Sequence, residues 1–474
     1  MRREFKLLIG EERRESSEKM EVRNPYNDEV VGIVHKGAAQ DIDDAIEKAV
    51  RAFEVTRRMA SHQRSEILHT VAQRIQERRD EFARTICLEA GKTITDSRIE
   101  TDRAVNTFTI AAEEAKRVAG EVIPLDLLPA SANRLGMTRR FPLGPMAGIS
   151  PFNFPLNLVA HKVAPCIASG NTIVVKPAST TPMTALLLGE VVVEAGMVDG
   201  GMSVVPCPGS AGEPLVTDAR LKKLTFTGSA EIGWYLKSKA VKKKVTLELG
   251  GNAGAIVHTD ADLDYAVPRL VRGSFAYAGQ ICISVQRIFV HKDIYQSFIE
   301  RFVEETAKLR RGDPIEETTD LSPMIDEPNA IRAETWVNEA VEGGATVMTG
   351  GQREGTYYEP TVLVDTRPEM KVNCMEVFAP IVTITPYDRF EEAVAGVNDS
   401  DFGLQAGVFT RDVKRIFYAY DNIDVGGLIV NDFPTYRIDH MPYGGVKDSG
   451  FGREGLRYAI EEMTELKLLA LNLA

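Results

Sequence analysis

From residue 145 onward, short apolar runs alternate with helical patterns, and this alternation limits the fold more than any other feature of the chain. The predicted strands of the first stretch are MAGIS (146–150), NTIVVKP (171–177), SVVPC (203–207), KLTFTG (223–228) and KVTLEL (244–249). Helices are predicted between them at 181–196, with Thr181 as N-cap and Pro182 at the first helical position, and at 229–240. Such alternation indicates a parallel, doubly wound α/β sheet, which binds ligands at the carboxyl ends of its strands.

The same alternation continues through the second half of the chain. Further strands are predicted at 286–291, 357–364 and 428–432, and further helices at 293–309, 329–342, 389–397 and 412–421. These segments predict a second α/β domain that starts near residue 255. The first part of the chain is predicted to be helical, with helices at 41–53, 61–90 and 97–118. Between it and the sheet, 120–141 is an extended segment that could pair with the tail 465–474 in an oligomerisation sheet.

Composition limits which classes of partner and which cellular compartment we expect for this chain. A chain of 474 residues is too long for one compact core, so two or three domains are expected. A net charge of −12 argues against nucleic acid or an anionic membrane as the main partner. We expect no secretory signal in the charged start MRREFKLLIGEERRE and no membrane span. The five cysteines form no CxxC pair, which argues against zinc ribbons and disulfide frameworks and favours a reducing, cytoplasmic setting.

Cys282 lies among small and apolar residues in YAGQICIS (277–284). A thiolate is a strong nucleophile, and an intermediate built on sulfur can give up a hydride and leave a thioester. Most cysteines are instead buried and inert. Three of the others lie in a helix or in apolar runs, and Cys374, near the polar KVN, is the only rival. The surroundings of Cys282 alone therefore leave both a nucleophile and a packing residue open.

Two further side chains suit catalysis. Glu248 lies near the end of an apolar strand, where partial desolvation would raise its pKa and suit a general base. The alternative is a solvated rim glutamate, which Gly250 and Gly251 argue against because they let the backbone bend sharply beside the site. Asn153 lies between two prolines in PFNFPL, and this stiff backbone could hold its amide as an oxyanion donor. A turn asparagine that bonds its own backbone is the commoner alternative.

Two features could bind a phosphate or a ribose. The turn FTGSAEIG (226–233) follows a strand and opens a helix, and Gly228 lets the backbone approach a ligand there. A plain turn is the alternative, because the GxxxxG spacing is weak evidence. Lys176 ends a neighbouring strand, where it could hydrogen-bond a ribose hydroxyl or a phosphate. Taken alone, a solvated surface lysine is the more common interpretation.

Together these segments resemble the aldehyde dehydrogenase superfamily. The similarity is collinear and spans almost the whole chain. It rests on seven motifs in the family's order and at compatible separations: PFNFPL, KPAS, FTGSAEIG, LELGGNAG, GQICIS, EVFAP (376–380) and PYGGVKDSGFGREG (442–455). Each motif is moderate evidence by itself, and seven in order are strong evidence.

The resemblance implies a role for each matched residue. Cys282 would be the nucleophile, Asn153 and the backbone N–H of Cys282 would hold the oxyanion, and Glu248 would activate water. The residues implied in binding NAD or NADP are Lys176 at the adenosine ribose, Gly228 and Ser229 near the pyrophosphate, Glu376 at the nicotinamide ribose and Phe378 near the nicotinamide. A thiohemiacetal on the cysteine would lose hydride and collapse to a thioester, which water would hydrolyse to the acid. No metal is required.

The resemblance also implies a domain plan. The fold would be an aldehyde dehydrogenase-like α/β fold, with two doubly wound domains and a β-flap. Residues 1–119 and 143–253 would form the cofactor-binding domain, and 254–456 the catalytic domain. Residues 120–142 and 457–474 would form the flap, which would assemble a homodimer or homotetramer.

One departure from the family pattern concerns the cofactor. Many NAD-preferring members carry an acidic residue where this chain has Ser179, three residues after Lys176. Without that carboxylate nothing repels a 2′-phosphate, so we expect NADP to be accepted, alone or alongside NAD. The alternative is that Ser179 caps the following helix, and both can hold.

A second departure concerns the substrate. The loop NDFPTYRIDHMPYGG (431–445) would border the substrate entrance, and it resembles the lactaldehyde and non-phosphorylating glyceraldehyde-3-phosphate branch of the superfamily. Arg437 and His440, together with His161, would favour a short hydroxylated or anionic aldehyde. Alternatively, Arg437 pairs with an acid such as Asp439 and is structural.

Two other functions stay open beside aldehyde oxidation to the acid. In a CoA-acylating aldehyde dehydrogenase, CoA rather than water would take the acyl group, and Glu248 argues against that reading. A protein that kept only the fold could serve in binding or structure. A binding protein has no reason to keep both a nucleophile and a base.

Overall fold

The predicted parallel sheet is present in the computed structural model, which describes residues 3–473. In spatial order its eight strands are Gly450–Phe451, Lys244–Glu248, Lys223–Thr227, Pro145–Ile149, Thr172–Lys176, Met202–Val204, Leu7–Ile9 and Glu12–Arg14. The five strands from Lys244–Glu248 to Met202–Val204 run parallel, and the outer three are antiparallel to their neighbours. The predicted strands of 145–249 are thus confirmed, with shorter ends.

A second sheet of seven strands follows the first. Its order is Thr346–Thr349, Thr361–Val364, Ile381–Tyr387, Val285–His291, Ala253–Val257, Gln405–Phe409 and Gly427–Val430. All neighbours pair in parallel except the first strand, which is antiparallel. The central strand Ala253–Val257 is missing from the predicted strands, because the sequence AGAIV is rich in residues with weak strand propensity.

Residues 3–35 contain five short strands and no helix, so the prediction of a helical start is wrong there. Arg3–Phe5, Val30–His35 and Lys19–Arg23 form a separate three-stranded sheet, while Leu7–Ile9 joins the large sheet. Arg3–Phe5 and Lys19–Arg23 are short and rich in charged residues, so they carry no clear apolar pattern. Their pairing partners, rather than their own sequence, stabilise them.

The helices pack against both faces of these sheets. Within the described residues they span Ala39–Thr56, Ser61–Glu77, Arg79–Ala90, Ile94–Glu114, Asn157–Ala168, Met183–Glu194, Glu213–Thr217, Ala230–Lys239, Leu263–Phe275, Tyr295–Thr306, Glu327–Glu342, Lys371–Cys374, Phe390–Asn398, Val413–Asn422 and Leu456–Glu462. Short 3₁₀ turns lie at Pro129–Ser131, Gly209–Gly212, Ala276–Gly279 and Lys292–Ile294. The single helix predicted over 61–90 is wrong, because Arg78 (φ −102°, ψ 21°) interrupts it. None of these helices is both long and apolar enough to cross a membrane.

The helix predicted to start at Thr181 begins instead at Met183. Thr181 does not cap it; its hydroxyl donates to the Phe152 carbonyl at 3.3 Å. The N-terminal N–H groups of Met183 and Thr184 donate to the Glu89 carboxylate at 2.8 and 3.0 Å. A carboxylate from a distant helix thus supplies the cap, which sequence neighbours alone cannot indicate.

The expected pairing of the extended segment with the C-terminal tail is present. Thr464–Asn472 pairs antiparallel with Arg134–Pro142 over nine residue pairs, and Val122–Pro124 adds a third strand. The tail strand is exposed over most of its length, and Leu466 and Leu468 are 57% and 54% exposed. Two small antiparallel sheets of two strands each complete the list: Arg353–Glu354 with Tyr357–Tyr358, and Phe402–Gly403 with Val446–Lys447.

Candidate active site

The carboxyl edge of the large sheet gathers the residues predicted to bind the cofactor and activate water. Lys176 and Glu248 are the last residues of their strands, and Gly228 directly follows the strand between Lys223 and Thr227. Register brings them side by side, since Thr227 pairs with Glu248 and Ile149 pairs with Lys176. The side chains therefore converge because parallel strands end at one edge.

Cys282 lies just before the strand Val285–His291 of the second sheet, and it reaches this edge through a tight turn. Tyr277 and Ala278 adopt left-handed backbone angles (φ 48° and 51°), and Gly279 follows with φ 68°. A Cβ on Gly279 would lie 2.2 Å from the Ala379 carbonyl oxygen, so only glycine fits there. Such angles in non-glycine residues are costly and concentrate at functional sites. Here they aim the residues after the turn at the sheet edge.

The Cys282 sulfur has a defined polar environment. Its Sγ lies 3.0 Å from the hydroxyl oxygen of Tyr443. Burial raises the pKa of the thiol to about 11, while the Tyr443 hydroxyl and the Arg437 cation lower it. Cys374, the rival candidate, lies apart from this group and donates its S–H weakly to the Glu369 carbonyl at 3.5 Å. All five cysteines are free within residues 3–473.

Asn153 is buried beside the turn that carries Cys282. Its Nδ2 donates to the Gln280 carbonyl at 2.9 Å, so the amide bonds the neighbourhood of the cysteine rather than its own turn. An amide NH₂ has two hydrogens, which leaves one for a further acceptor. Its Oδ1 is buried without a hydrogen-bond partner in the described chain.

Glu248 is buried, which excludes the solvated rim glutamate considered from the sequence. It is 3% exposed, and neither carboxyl oxygen has a partner among residues 3–473. Burial raises its pKa well above the usual range, and the charge of Glu454 raises it further. Arg437, Lys162 and Arg453 oppose that shift. An unpartnered buried carboxyl group with a raised pKa is suited to accept a proton.

Gly250 and Gly251 are required for close approach rather than for a sharp bend, as neither has a positive φ. A Cβ on Gly250 would lie 2.4 Å from a carboxyl oxygen of Glu376, and one on Gly251 would lie 2.0 Å from the Cys282 carbonyl oxygen. The Gly251 N–H also donates to Glu376 at 2.9 Å. This glycine pair therefore holds the base, the cysteine segment and Glu376 in one place.

A groove at the same edge fits a dinucleotide. Its inner part is a cavity of about 440 Å³ with apolar walls that include Ile149 and Phe226 and with Lys176 at its polar side. Among residues 3–473 the Lys176 ammonium makes one weak hydrogen bond, 3.5 Å to the Pro177 carbonyl, so its other donors are available. A Cβ on Gly228 would overlap the Phe226 ring at 2.5 Å, so the glycine backbone packs closely on a residue that lines the cavity.

The other cofactor candidates border this groove or its continuation. Ser179 and Ser229 are exposed, each just after a strand of the large sheet. Burial raises the pKa of Glu376 to about 7, against the Gly251 hydrogen bond, which lowers it. Phe378 has a positive φ of 48° and stacks edge-on against Phe152, with 5.9 Å between the ring centroids.

A separate cavity of about 280 Å³ has Cys282 in its lining. Its charged lining residues are Lys92, Arg103, Arg272, Arg437, Asp96 and Glu100. Both acids are neutralised within the lining, since Lys92 pairs with Glu100 at 2.5 Å and Arg272 pairs with Asp96. The acids that pair with Arg103 and Arg437 are Asp439 and Glu454, and they lie outside the lining. The cavity is therefore net positive.

The three substrate candidates from the sequence have different positions. Arg437 lines the cavity and also pairs with Glu454 at 2.9 Å, so it meets both of the alternatives considered. His161 is buried behind it, with its Nε2 2.9 Å from Asp439 and its Nδ1 3.1 Å from Glu454. His440 is exposed, and neither histidine lines the cavity.

Comparison with known proteins identifies the family. The model of the aldehyde dehydrogenase family matches residues 12–469. The chain belongs to that family. It is 46% identical over 472 residues to a 3-sulfolactaldehyde dehydrogenase from Priestia aryabhattai, covering 99% of this chain and 98% of the relative. Aldehyde dehydrogenases oxidise aldehydes with NAD(P), and this chain is an enzyme of that kind.

Solved aldehyde dehydrogenases share the whole fold. One from Physcomitrella patens, in complex with the reaction product succinate, has a TM-score of 0.98 at 43% identity and covers 100% of this chain and 99% of that one. Glyceraldehyde-3-phosphate dehydrogenase GapN from Methanocaldococcus jannaschii, complexed with NADP, has a TM-score of 0.92 at 38% identity and covers 97% of this chain and 99% of that one. The predicted fold class is confirmed, and the fold-only alternative is excluded by membership of an enzyme family with named relatives.

Three residues at the site carried no prediction. Tyr443 and Glu454 both lie in PYGGVKDSGFGREG. The sequence therefore shows the motif, but it does not show which side chains these two residues contact. Arg103 lies on the helix Ile94–Glu114, 336 positions before its partner Asp439, and no local pattern marks it. Only the fold brings it to the cavity.

Proposed function

We propose that this aldehyde dehydrogenase oxidises a short aldehyde whose far end carries an anionic group, and that water releases the acid from Cys282. One observation carries the proposal: two arginines with free donors line the cavity that opens onto the cysteine. The Nε–H groups of Arg103 and Arg437 are buried and have no partner in the part of the chain that the structure describes. A guanidinium group forms charge-assisted hydrogen bonds with anionic oxygens, so the two arginines in the cavity wall would attract an anionic ligand.

The size of the cavity restricts the aldehyde. About 280 Å³ lies at the small end of ligand pockets, which suits a short chain. Cys282, Arg103 and Arg437 all line this space. A short aldehyde can therefore place its carbonyl carbon at the thiol while its anionic group meets the arginines. One relative is a 3-sulfolactaldehyde dehydrogenase and another is solved with its reaction product succinate, and both support such a substrate.

The roles of the catalytic residues follow from their positions. The Cys282 thiolate adds to the aldehyde carbon, and the free Nδ2 hydrogen of Asn153 donates to the oxygen, which becomes an oxyanion. Bound NAD(P) would supply the acceptor for the hydride that leaves that carbon. The C=O bond re-forms, and the acyl group stays on sulfur as a thioester.

Glu248 then completes the reaction with water. Its two unpartnered carboxyl oxygens can accept a proton from a water molecule as the water oxygen attacks the thioester carbon. The carbon–sulfur bond breaks, the acid leaves, and Cys282 returns to its starting form. This role for Glu248 favours hydrolysis over transfer to CoA.

For the cofactor, we propose that the enzyme accepts NADP. Lys176 presents available donors, and Ser179 adds no negative charge at the ribose. The GapN structure bound to NADP supports this choice. Gly228, Ser229, Glu376 and Phe378 keep the roles that the family pattern implies. We also propose a homodimer or homotetramer built through the flap 120–142 and 457–474, and a reducing, cytoplasmic setting for the free thiols.

Initial rates of NAD(P)H formation across a panel of aldehydes test the proposal. The panel contains succinate semialdehyde, 3-sulfolactaldehyde, glyceraldehyde 3-phosphate, lactaldehyde and plain aliphatic aldehydes, each with NAD and with NADP. We expect an anionic aldehyde to give the highest kcat/KM, and Arg103→Met to reduce that value at least tenfold while sparing a neutral aldehyde.

Two controls separate the parts of this proposal. Cys282→Ala should abolish turnover, and Glu248→Gln should give one burst of NAD(P)H per active site and then stop, because the thioester persists. Highest activity on plain aldehydes would refute the anionic substrate alone. A requirement for CoA would refute hydrolysis.

A further inference from the structure

Tyr443 links the Cys282 sulfur to the charge of Arg437. Its hydroxyl oxygen lies 3.0 Å from Sγ, and its side chain is almost fully buried. The Arg437 guanidinium lies over the face of the same ring, with its central carbon 3.6 Å from the ring centroid. The thiol contacts the phenol, and the phenol contacts the cation. The reaction described above gives Tyr443 no role.

The direction of the hydrogen bond depends on the state of the sulfur. While the thiol keeps its proton, either atom can donate. Once Cys282 is a thiolate, sulfur can only accept, so Tyr443 must donate. Burial raises the pKa of Tyr443 well above its ordinary value, so the hydroxyl keeps the proton that it needs for this bond.

The charges around the sulfur favour such a donor. Glu376 and Glu248 both raise the pKa of the Cys282 thiol, as does burial. Tyr443 and Arg437 are the groups that oppose them. A cation over the face of a phenol also strengthens its O–H as a donor, because positive charge favours the electron-rich ring and its developing negative charge.

We propose that Tyr443 is a positioning residue that donates its hydroxyl to the Cys282 thiolate and passes the influence of the Arg437 cation to the sulfur. The proposal rests on Cys282 being the nucleophile, as argued above. Arg437 then acts at two places: it lines the substrate cavity, and its guanidinium plane supports the phenol that holds the thiolate. Arg437 would then contribute both to binding the anionic group and to stabilising the Cys282 thiolate.

The test is the pH dependence of alkylation of Cys282 by iodoacetamide in the full-length enzyme without cofactor. In this reaction the sulfur–carbon bond forms and iodide leaves, so the rate follows the thiolate fraction. Mass spectrometry of the peptide that contains Cys282 separates it from the other cysteines. Tyr443→Phe removes the donor and keeps the ring, and Tyr458→Phe, at a partly exposed position on Leu456–Glu462, is the matched control.

We expect Tyr443→Phe to move the alkylation profile upward by roughly one pH unit, which is about a tenfold lower rate at any pH below both midpoints. Tyr458→Phe should leave the profile in place. In steady-state assays, Tyr443→Phe should lower kcat with little change in KM, whereas Arg437→Lys should raise the KM for the anionic aldehyde as well.

An unchanged alkylation profile in Tyr443→Phe would overturn the inference, and so would a profile that moves equally in both phenylalanine variants. A lowered thermal midpoint with no movement of the profile would show a packing role only and would also overturn it. Failure of the proposed function looks different: Cys282→Ala would then keep its turnover, whatever Tyr443→Phe does.

Discussion

At the scale of single residues, the site depends on backbone atoms that come closer than side chains allow. Gly251 leaves only 2.0 Å between a hypothetical Cβ and the Cys282 carbonyl, and its N–H binds Glu376. Any side chain there would move the cysteine segment away from Glu248. The catalytic distances are therefore set partly by residues that have no functional group.

Asn153→Ala tests the oxyanion donor. The substitution removes an amide whose second hydrogen is available beside the cysteine, and loss of one such donor costs about 100- to 1,000-fold in kcat. KM should change little, because the interaction forms only as negative charge develops on oxygen. Steady-state rates with an anionic aldehyde provide the measurement.

The control for that variant is Asn422→Ala, whose amide lies on the exposed end of Val413–Asn422 and donates to the Tyr418 carbonyl. It should keep wild-type rates. Asn153→Ala with a full kcat would remove Asn153 from the catalytic set.

At the scale of elements, helix ends are organised by residues far away in the chain. The helix Met183–Glu194 packs on the sheet that carries Lys176, and Glu89 from another helix binds its first N–H groups. Burial raises the pKa of Glu89 to about 8, although these two hydrogen bonds lower it. The cap thus joins the helical layer to the cofactor sheet.

Glu89→Ala should lower the thermal midpoint, because two helix N–H groups lose a buried acceptor at a cost of about 1–3 kcal/mol. The wild-type advantage over Glu89→Gln should shrink as pH rises from 4.5 toward about 8. In that window the unfolded chain has lost the proton that the folded chain retains, so stability falls with pH in the wild type only. Thermal melts at several pH values measure both effects.

Glu194→Ala, at the other end of the same helix, is the matched control and should change the midpoint little. A wild-type advantage that grows with pH would contradict the assigned burial of a protonated Glu89.

At the scale of the whole molecule, the flap presents apolar surface to solvent. Leu466, Leu468 and Leu469 on the tail strand are each at least 50% exposed. Contiguous exposed leucines of this kind mark association surfaces. The strand is held by nine residue pairs to Arg134–Pro142, so it is a formed element without a covering layer.

The double substitution Leu466→Asp with Leu468→Asp should shift the enzyme to smaller species, because two charges would have to be buried on association. Size-exclusion chromatography with light scattering measures the change. Val413→Asp, at a position 60% exposed on a helix of the second domain, should leave the mass unaltered. Unchanged mass in the double variant would exclude the flap as the assembly surface.

The amino-acid sequence predicts the order of most helices and strands and which functional residues follow the strand ends. Apolar strands ending in Lys176, Gly228 and Glu248 predict a parallel sheet with these residues at one edge, because parallel strands share a direction. The motif around Cys282 adds the nucleophile. These features are local, so a single pass along the chain can detect them.

Contacts between distant segments of the chain could be found in the folded structure and not in the sequence. Arg103 reaches Asp439, Glu89 caps a helix that begins 94 residues later, and Tyr443 meets the sulfur across 161 positions. The same packing separates Arg437, which lines the cavity, from His161 behind it and His440 outside it. Local patterns cannot specify such contacts, because they arise from how whole elements pack and from which charges burial leaves without water.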